Sequence, residues 1–314
     1  MKRDQKGRRF CPEVELPESR SSTSGKIYNG CMAVQGFRLT QGGIVPLNIP
    51  ASSLDELTGS VSDGFYSTFS TLSGGTRVLG LRAHLERLYE PAKAAGLRPS
   101  ADENSLRKGI AELAKENLPG ESRIRVILTR DTGEVYIGIQ PFTPLSESVY
   151  EKGVHVIIAE MARHDPRIKG TDFITQSADQ RKLVKGDIFE ILMTRTGRIL
   201  EGMTSNFYAV SESQGEPCST LITAQKGILL GVTRRAVLRL ARGEGMSIEY
   251  RSPRVEEKFD EAFLTSSSRG VVPIVNIDGK PVGQGRPGVW TKRLSLAYQA
   301  YVRERSEAIL PDES

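Results

Sequence analysis

The sequence predicts an α+β protein of two domains: a small α+β domain, then a larger, barrel-like α/β domain. Three observations predict it. A chain of 314 residues is too long for one small core. Residues 26–142 run as strands, two amphipathic helices and a hairpin. After Pro141–Pro144 the composition shifts to many short β-type runs with few helices.

Residues 1–25 are polar, without hydrophobic period, and read as a disordered N-terminal extension. Phe65–Leu72 and Arg77–Leu81 read as neighbouring strands joined by a Ser73-Gly74-Gly75 turn. Leu81, Leu85, Leu88 and Ala92 fall at helical spacing, with Gly96 as the stop. Leu106, Ile110 and Leu113 mark a second helix. Ile124, Val126 and Leu128 alternate along one strand; Val135, Ile137 and Ile139 alternate along the next. Asp131-Thr132-Gly133 turns the chain between them, making a hairpin. Residues 143–150 read as a linker. In 151–314 the β-type runs are Val154–Ile158, Ile188–Met193, Phe207–Val210, Thr220–Thr223, Ile248–Tyr250, Ala262–Leu264 and Val271–Ile277. The clearest helices are Val232–Arg242 and Val289–Val302. So many short strands suggest a β-barrel or a strongly curved sheet.

Composition narrows the function. Hydrophobic residues make up 38% and charged residues 26% of the chain, as in a soluble globular protein. No apolar run is long enough to span a bilayer, and none follows the basic N-terminus as a secretory signal would require. Cys11, Cys31 and Cys218 are odd in number and far apart, which argues against a disulfide framework or a structural zinc site and for a cytoplasmic home. The net charge of +5 comes largely from the first ten residues, where five Lys or Arg face one Asp. With no nucleic-acid-binding signature elsewhere, the charge fits a basic enzyme with anionic small substrates better than a nucleic-acid partner. No G-x-G-x-x-G, P-loop, H-E-x-x-H or G-x-S-x-G occurs, and His84, His155 and His164 share no metal spacing.

Four segments remain. Leu81–Leu88 alone is a helix with a charged face. Arg167-Ile168-Lys169-Gly170 alone is a surface lysine before a turn, with Arg167 and Lys169 on the same side if the segment is extended. Arg198–Phe207 places Glu201 at the end of an apolar strand, before a small polar loop and another strand. Ile228–Arg235 reads as strand, tight turn and helix start, whose exposed N–H groups favour a phosphate.

Taken in order, these segments resemble the class-IV aminotransferases, a family that includes branched-chain aminotransferases, D-amino-acid aminotransferases and aminodeoxychorismate lyases. The resemblance runs from about Asp63 to Tyr301. It rests on Asp63-Gly64-Phe65-Tyr66 with Leu85-x-Arg87-Leu88, on Ile168-Lys169, on Leu200-Glu201-Gly202-x-x-Ser205-Asn206-Phe207, on Leu230-Gly231-Val232-Thr233-Arg234, and on Phe263-Leu264-Thr265-Ser266-Ser267 with Pro273 and Asp278-Gly279 beyond.

The resemblance implies the two-domain fold type IV and pyridoxal 5'-phosphate (PLP) as cofactor, with no metal. It implies a Schiff base on Lys169, whose freed amine then shuttles the substrate proton. Glu201 would pair with the pyridine nitrogen, Ser205 and Asn206 would also belong to the cofactor site, and Asn206 would order the loop after Glu201. The phosphate would be held by Arg87, the N–H groups of Val232 and Thr233, and the Ser267 hydroxyl, with the Thr233 side chain as a further contributor. Lys182 and Lys185, in a polar helical stretch, are rival lysines. The expected reaction is amino transfer between an amino acid, branched-chain-like or D, and a 2-keto acid. Alternatives are β-elimination with pyruvate release and a non-catalytic PLP-binding relative. A homodimer is expected from the family.

The substrate residues depart from both subgroups. Asp172-Phe173 stands where branched-chain enzymes carry Asn-Tyr, and Thr129–Gly133 lacks the Arg-x-His pair of the D-amino-acid enzymes. Tyr66, Arg130, Arg163 and Arg167 are the candidates for a substrate carboxylate, with Thr265 and Ser266 nearby in the last motif.

Overall fold

The computed structural model describes residues 34–212 and 219–309. The expected N-terminal extension and the three cysteines lie outside the described residues. The first half comprises β1 (Gln35–Thr40), β2 (Gly43–Pro46), α1 (Leu54–Gly59), β3 (Gly64–Ser70), β4 (Arg77–Leu79), α2 (Leu81–Ala94), α3 (Glu103–Lys115), β5 (Glu121–Thr129) and β6 (Val135–Phe142). Five of these strands form one antiparallel sheet in the order β2-β1-β6-β5-β3.

The helices form where the apolar period predicts them. Leu81, Leu85 and Leu88 of α2 and Leu106, Ile110 and Leu113 of α3 are buried against Ile124, Val126, Leu128, Val135, Ile137 and Ile139 of the hairpin, in a single core. Each such side chain contributes about 1.5–3 kcal/mol through burial. Asp102 caps α3 by accepting from the Ser105 N–H at 2.8 Å. Side chains alternate across a strand, so β5 turns Ile124, Val126 and Leu128 to the helices and Arg123, Arg125 and Ile127 to the other face.

The second half comprises α4 (Glu147–Lys152), β7 (Val154–Glu160), α5 (Asp172–Gln176), α6 (Ala178–Arg181), β8 (Ile188–Arg195), β9 (Arg198–Gly202), β10 (Asn206–Ser211), β11 (Thr220–Thr223), α7 (Val232–Gly243), β12 (Ser247–Tyr250), β13 (Glu261–Ser266), β14 (Gly270–Ile277), β15 (Lys280–Pro281), α8 (Val289–Arg305) and β16 (Ser306–Ala308). Its nine-stranded sheet runs β12-β11-β10-β13-β14-β7-β8-β9, with β15 beside β14. The sheet curls until its ends meet. The Ile199 N–H of β9 donates to Pro253 O and the Val255 N–H donates to Gly197 O, just past β12. Phe207 and Ala209 of β10 face one core inside the curl, while Tyr208 and Val210 face another formed with α7 and α8.

Several local expectations fail. The Arg77–Leu79 strand meets the end of β3 only through the Leu72–Arg77 bridge; its ladder partner is β16. Ile228–Leu230 is irregular rather than a strand, because its Leu229 N–H is spent on a side chain described below. Arg167 lies in a turn, not on a strand. Part of the expected linker is helical, since α4 begins at Glu147.

Candidate active site

Lys169 is held by the free edge of β3. The Tyr66 N–H donates to Lys169 O, and the Thr171 N–H donates to Gly64 O, both at 2.9 Å. The Thr171 hydroxyl accepts from the Gly64 N–H at 2.8 Å and donates to Asp63 Oδ1. Lys169 is thereby stitched onto the five-stranded sheet, and its Nζ lies 4.7 Å from the Tyr66 ring centroid. Burial drives the amine well below the usual lysine range, and Arg163, Arg87 and Arg125 push the same way against the weaker pull of Glu201. A lowered pKa favours the uncharged, nucleophilic form of the amine.

Strand β9 delivers Glu201 to the other side of the same cavity. Glu201 Oε1 accepts from Arg163 Nε at 3.0 Å, Oε2 accepts from Asn206 Nδ2 at 3.1 Å, and the Leu229 N–H is shared between them. Burial pushes this carboxyl up, while Arg163 and the Leu229 N–H hold it down. Every neighbour donates, so the arrangement fits the ionised form, and a carboxylate has about four acceptor positions. Arg163 is itself fixed by Met203 O at 2.8 Å and by the Phe173 ring 3.7 Å from its guanidinium carbon. Asn206 also donates to Leu229 O at 2.8 Å, tying β10 to the segment before α7.

Helix α7 begins at Gly231, where a Cβ would intrude on Asn206 Oδ1, so only glycine lets the turn pack this closely. The first intrahelical donor is Arg235, to Gly231 O. The Val232 and Thr233 N–H groups are therefore open, and both residues line the cavity. Arg87 lines it too; its guanidinium donates to Leu230 O at 3.0 Å, and burial, with Arg235 nearby, lowers it to about 10. Ser267 lies in the turn after β13 on the same cavity wall.

Together these groups surround a cavity of about 220 Å³ that opens to solvent. Lys169, Glu201, Arg87, Ser205, Asn206, Val232, Thr233, Ser267, Tyr66, Arg163, Thr265 and Ser266 all line it. Arg130 does not: it lines a smaller cavity behind Lys169, with its guanidinium over Phe65. Arg167 turns away and donates to Gln225 O at 3.0 Å. Arg163 reaches the cavity, but its Nε is committed to Glu201. Lys182 is exposed and paired with Asp179.

Sequence reasoning missed four arginines of the cavity wall: Arg123, Arg125, Arg181 and Arg269. Two were legible, since the alternation that turns Ile124 and Val126 inward turns Arg123 and Arg125 to the opposite face. Arg269 donates to Glu190 Oε2 at 3.0 Å and to Thr204, locking the turn after β13 to the turn after β9. Among the described residues, no group of three His, Cys, Asp or Glu could hold a metal. None of the described helices is long and apolar enough to cross a membrane.

The model of the amino-transferase class IV family matches residues 64–277, which span the β3 edge, Lys169, Glu201 and the α7 turn. The chain belongs to the class-IV aminotransferase family. This class-IV aminotransferase is 29% identical over 253 residues to a D-alanine aminotransferase of Bacillus licheniformis, covering 76% of this chain and 87% of that one. It is 30% identical over 258 residues to a protein of Thermotoga maritima described as a probable branched-chain-amino-acid aminotransferase, covering 79% and 89%. Its fold is similar to that of a solved branched-chain amino acid aminotransferase with pyridoxamine 5'-phosphate, from the organism abbreviated T.th., with TM-score 0.72 and 20% identity over 88% of this chain and 99% of that one. That likeness agrees with the α+β architecture and the curled second sheet.

Proposed function

We propose that Lys169 is the residue through which this PLP-dependent aminotransferase holds its cofactor and moves the substrate proton. The observation that carries the proposal is a buried amine of lowered pKa in one cavity with a buried carboxylate and an open helix start.

The donor set suits PLP. Val232, Thr233, Arg87 and Ser267 offer N–H, guanidinium and hydroxyl donors to a phosphate at the N-terminus of α7. Glu201 already accepts from three groups and has an acceptor position left for a protonated ring nitrogen. When bound, the cofactor supplies an electron sink for the bond broken at the substrate Cα. Glu201 keeps the ring nitrogen protonated, and Arg163 and Asn206 keep Glu201 ionised and aimed. Once freed, the Lys169 amine would take the proton from the substrate Cα and hold it for return. Tyr66 limits where that amine can swing, because its ring lies against Nζ.

The substrates are an amino acid and a 2-keto acid. Of the earlier candidates, Tyr66, Thr265 and Ser266 keep their place beside the reacting centre, while Arg163 acts through Glu201. The family resemblance supports a homodimer, which sedimentation tests, and the widely spaced cysteines support a cytoplasmic protein, which fractionation tests. The roles are tested with cofactor-loaded protein supplied with amino acids of each hand, with and without a keto acid. Amino transfer should require the keto acid and vanish in Lys169→Ala; turnover surviving in that variant would overturn the assignment.

A further inference from the structure

The two halves of the molecule are laced together by two short strands. β4 of the first half pairs antiparallel with β16 of the second, with Leu79 opposite Ser306, Val78 opposite Glu307 and Arg77 opposite Ala308. Each strand also sends a side chain into the other half. Leu79 packs against the core formed with α7 and α8. Ile309, just past β16, is buried in the core under α2 and α3. The Ile309 N–H donates to Thr76 O at 3.2 Å, and Arg77 donates to the hydroxyl and the carbonyl oxygen of Ser306.

The same strand completes α2. That helix starts at Gly80, which sits at φ 66° and has no side chain to cap it. Glu307 of β16 takes the place of a cap: its Oε1 accepts from the Arg82 N–H at 3.3 Å, and its Oε2 pairs with Arg107 of α3 at 3.1 Å. The corner at Gly80 is also where α2 meets α7, since a Cβ there would lie 2.9 Å from Val232 Cγ1. Arg87 follows about 9 Å along α2 from this corner. It donates to Leu230 O, just ahead of α7.

These contacts matter because the phosphate donors come from both halves. Arg87 is carried by α2, whereas Val232, Thr233 and Ser267 belong to the second half. They form one cup only while α2 and α7 stay in register. Amino transfer passes through the amine form of the cofactor, pyridoxamine 5'-phosphate, which has no aldehyde and so no bond to Lys169. In that form, retention rests on non-covalent contacts, the cup among them.

We propose that β16, through Glu307 and Ile309, is a positioning clamp that holds Arg87 in the phosphate cup and so retains the amine form of the cofactor between half-reactions. The clamp rests on the aminotransferase reading for the cup itself. Neither Glu307 nor Ile309 lines the cavity; both act through α2.

Release of pyridoxamine 5'-phosphate from the loaded full chain, followed by cofactor fluorescence after rapid dilution, reads the clamp directly. Ile309→Asp should release it about tenfold faster than wild type, and Glu307→Ala about threefold faster. Glu307→Gln, which keeps an acceptor for the Arg82 N–H, should stay within about twofold of wild type. Rates are taken from loaded protein, so a loss of folded material does not mimic the effect. Arg87→Gln separates the clamp from a general loosening. If the clamp works through Arg87, adding Ile309→Asp to that variant should speed release by less than about twofold. With Arg87→Gln releasing faster than wild type, unchanged release in Ile309→Asp and Glu307→Ala, or rates that multiply in full in the double variant, would overturn the clamp and leave the cup standing. If Arg87→Gln itself releases no faster than wild type, the phosphate reading of the cup fails, and the clamp with it.

Discussion

Replacing Arg163 by Met tests how the carboxylate at the foot of the cavity is held. The Arg163 and Glu201 side chains are 4% and 2% exposed, and the pair is closed at 3.0 Å. Removing one partner of such a pair leaves a buried charge uncompensated, which costs about 3–5 kcal/mol. Glu201 keeps the Asn206 amide and the Leu229 N–H, so the low end, about 3 kcal/mol, applies here. The loss should depend on pH. Without Arg163, burial raises the Glu201 carboxyl further above its unfolded value near 4.5. A group raised on folding binds its proton in the folded state while the unfolded chain has released it, so stability falls as pH rises. The variant should therefore lie close to wild type near pH 4.5 and fall behind towards neutrality. Urea unfolding of the cofactor-free protein at both pH values, followed by the fluorescence of the single Trp290, measures this. The double variant Arg163→Met/Glu201→Gln should recover much of the loss, since the partners are coupled. A loss under about 1 kcal/mol at neutral pH, a loss larger in acid, or additive single losses would refute the reasoning.

Lys169→Met should show no cofactor attachment by absorption spectroscopy, yet melt at a higher temperature than wild type near neutral pH. Folding lowers the pKa of the buried amine, a penalty near neutral pH that Met removes and that fades as pH rises towards 10.5; a variant less stable than wild type at neutral pH would contradict it. Glu201→Gln should retain the cofactor but transfer amino groups roughly 10–150-fold more slowly, for a lost charge-assisted bond of about 1.5–3 kcal/mol; stopped-flow half-reactions measure it. Gly231→Ala places a methyl group against Asn206 Oδ1 and should cost about 1–3 kcal/mol, with cofactor affinity, read by titration, falling about tenfold.

The legibility of this fold in its sequence followed the range of the interactions. Helices α2 and α3 and the β5–β6 hairpin were readable because a repeating apolar spacing selects one buried face. The pairing of Arg77–Leu79 with Ser306–Ala308 was not, since nothing in a three-residue strand names a partner more than 200 residues away. Ile228–Leu230 looked like a strand by composition, but the Leu229 N–H serves Glu201 instead of a ladder, a choice made by tertiary contact. In the site, Lys169, Glu201 and the Gly231 turn were singled out because a family motif marks each, and all three line the same cavity. Arg163 was found as a charge near the lysine, though not as the partner of Glu201, because 38 residues separate the two. Arg123 and Arg125 went unread because the alternation of β5 was followed for its apolar half alone.

The central claim is that Lys169 carries the cofactor, and the most direct test is chemical trapping. Borohydride reduction of the PLP-loaded protein, followed by proteolysis and mass spectrometry, fixes the cofactor to whichever lysine holds it. The modification should fall on the peptide containing Lys169 and be absent from those containing Lys182 and Lys185. A modification on either of those lysines, or none on Lys169, would contradict the account.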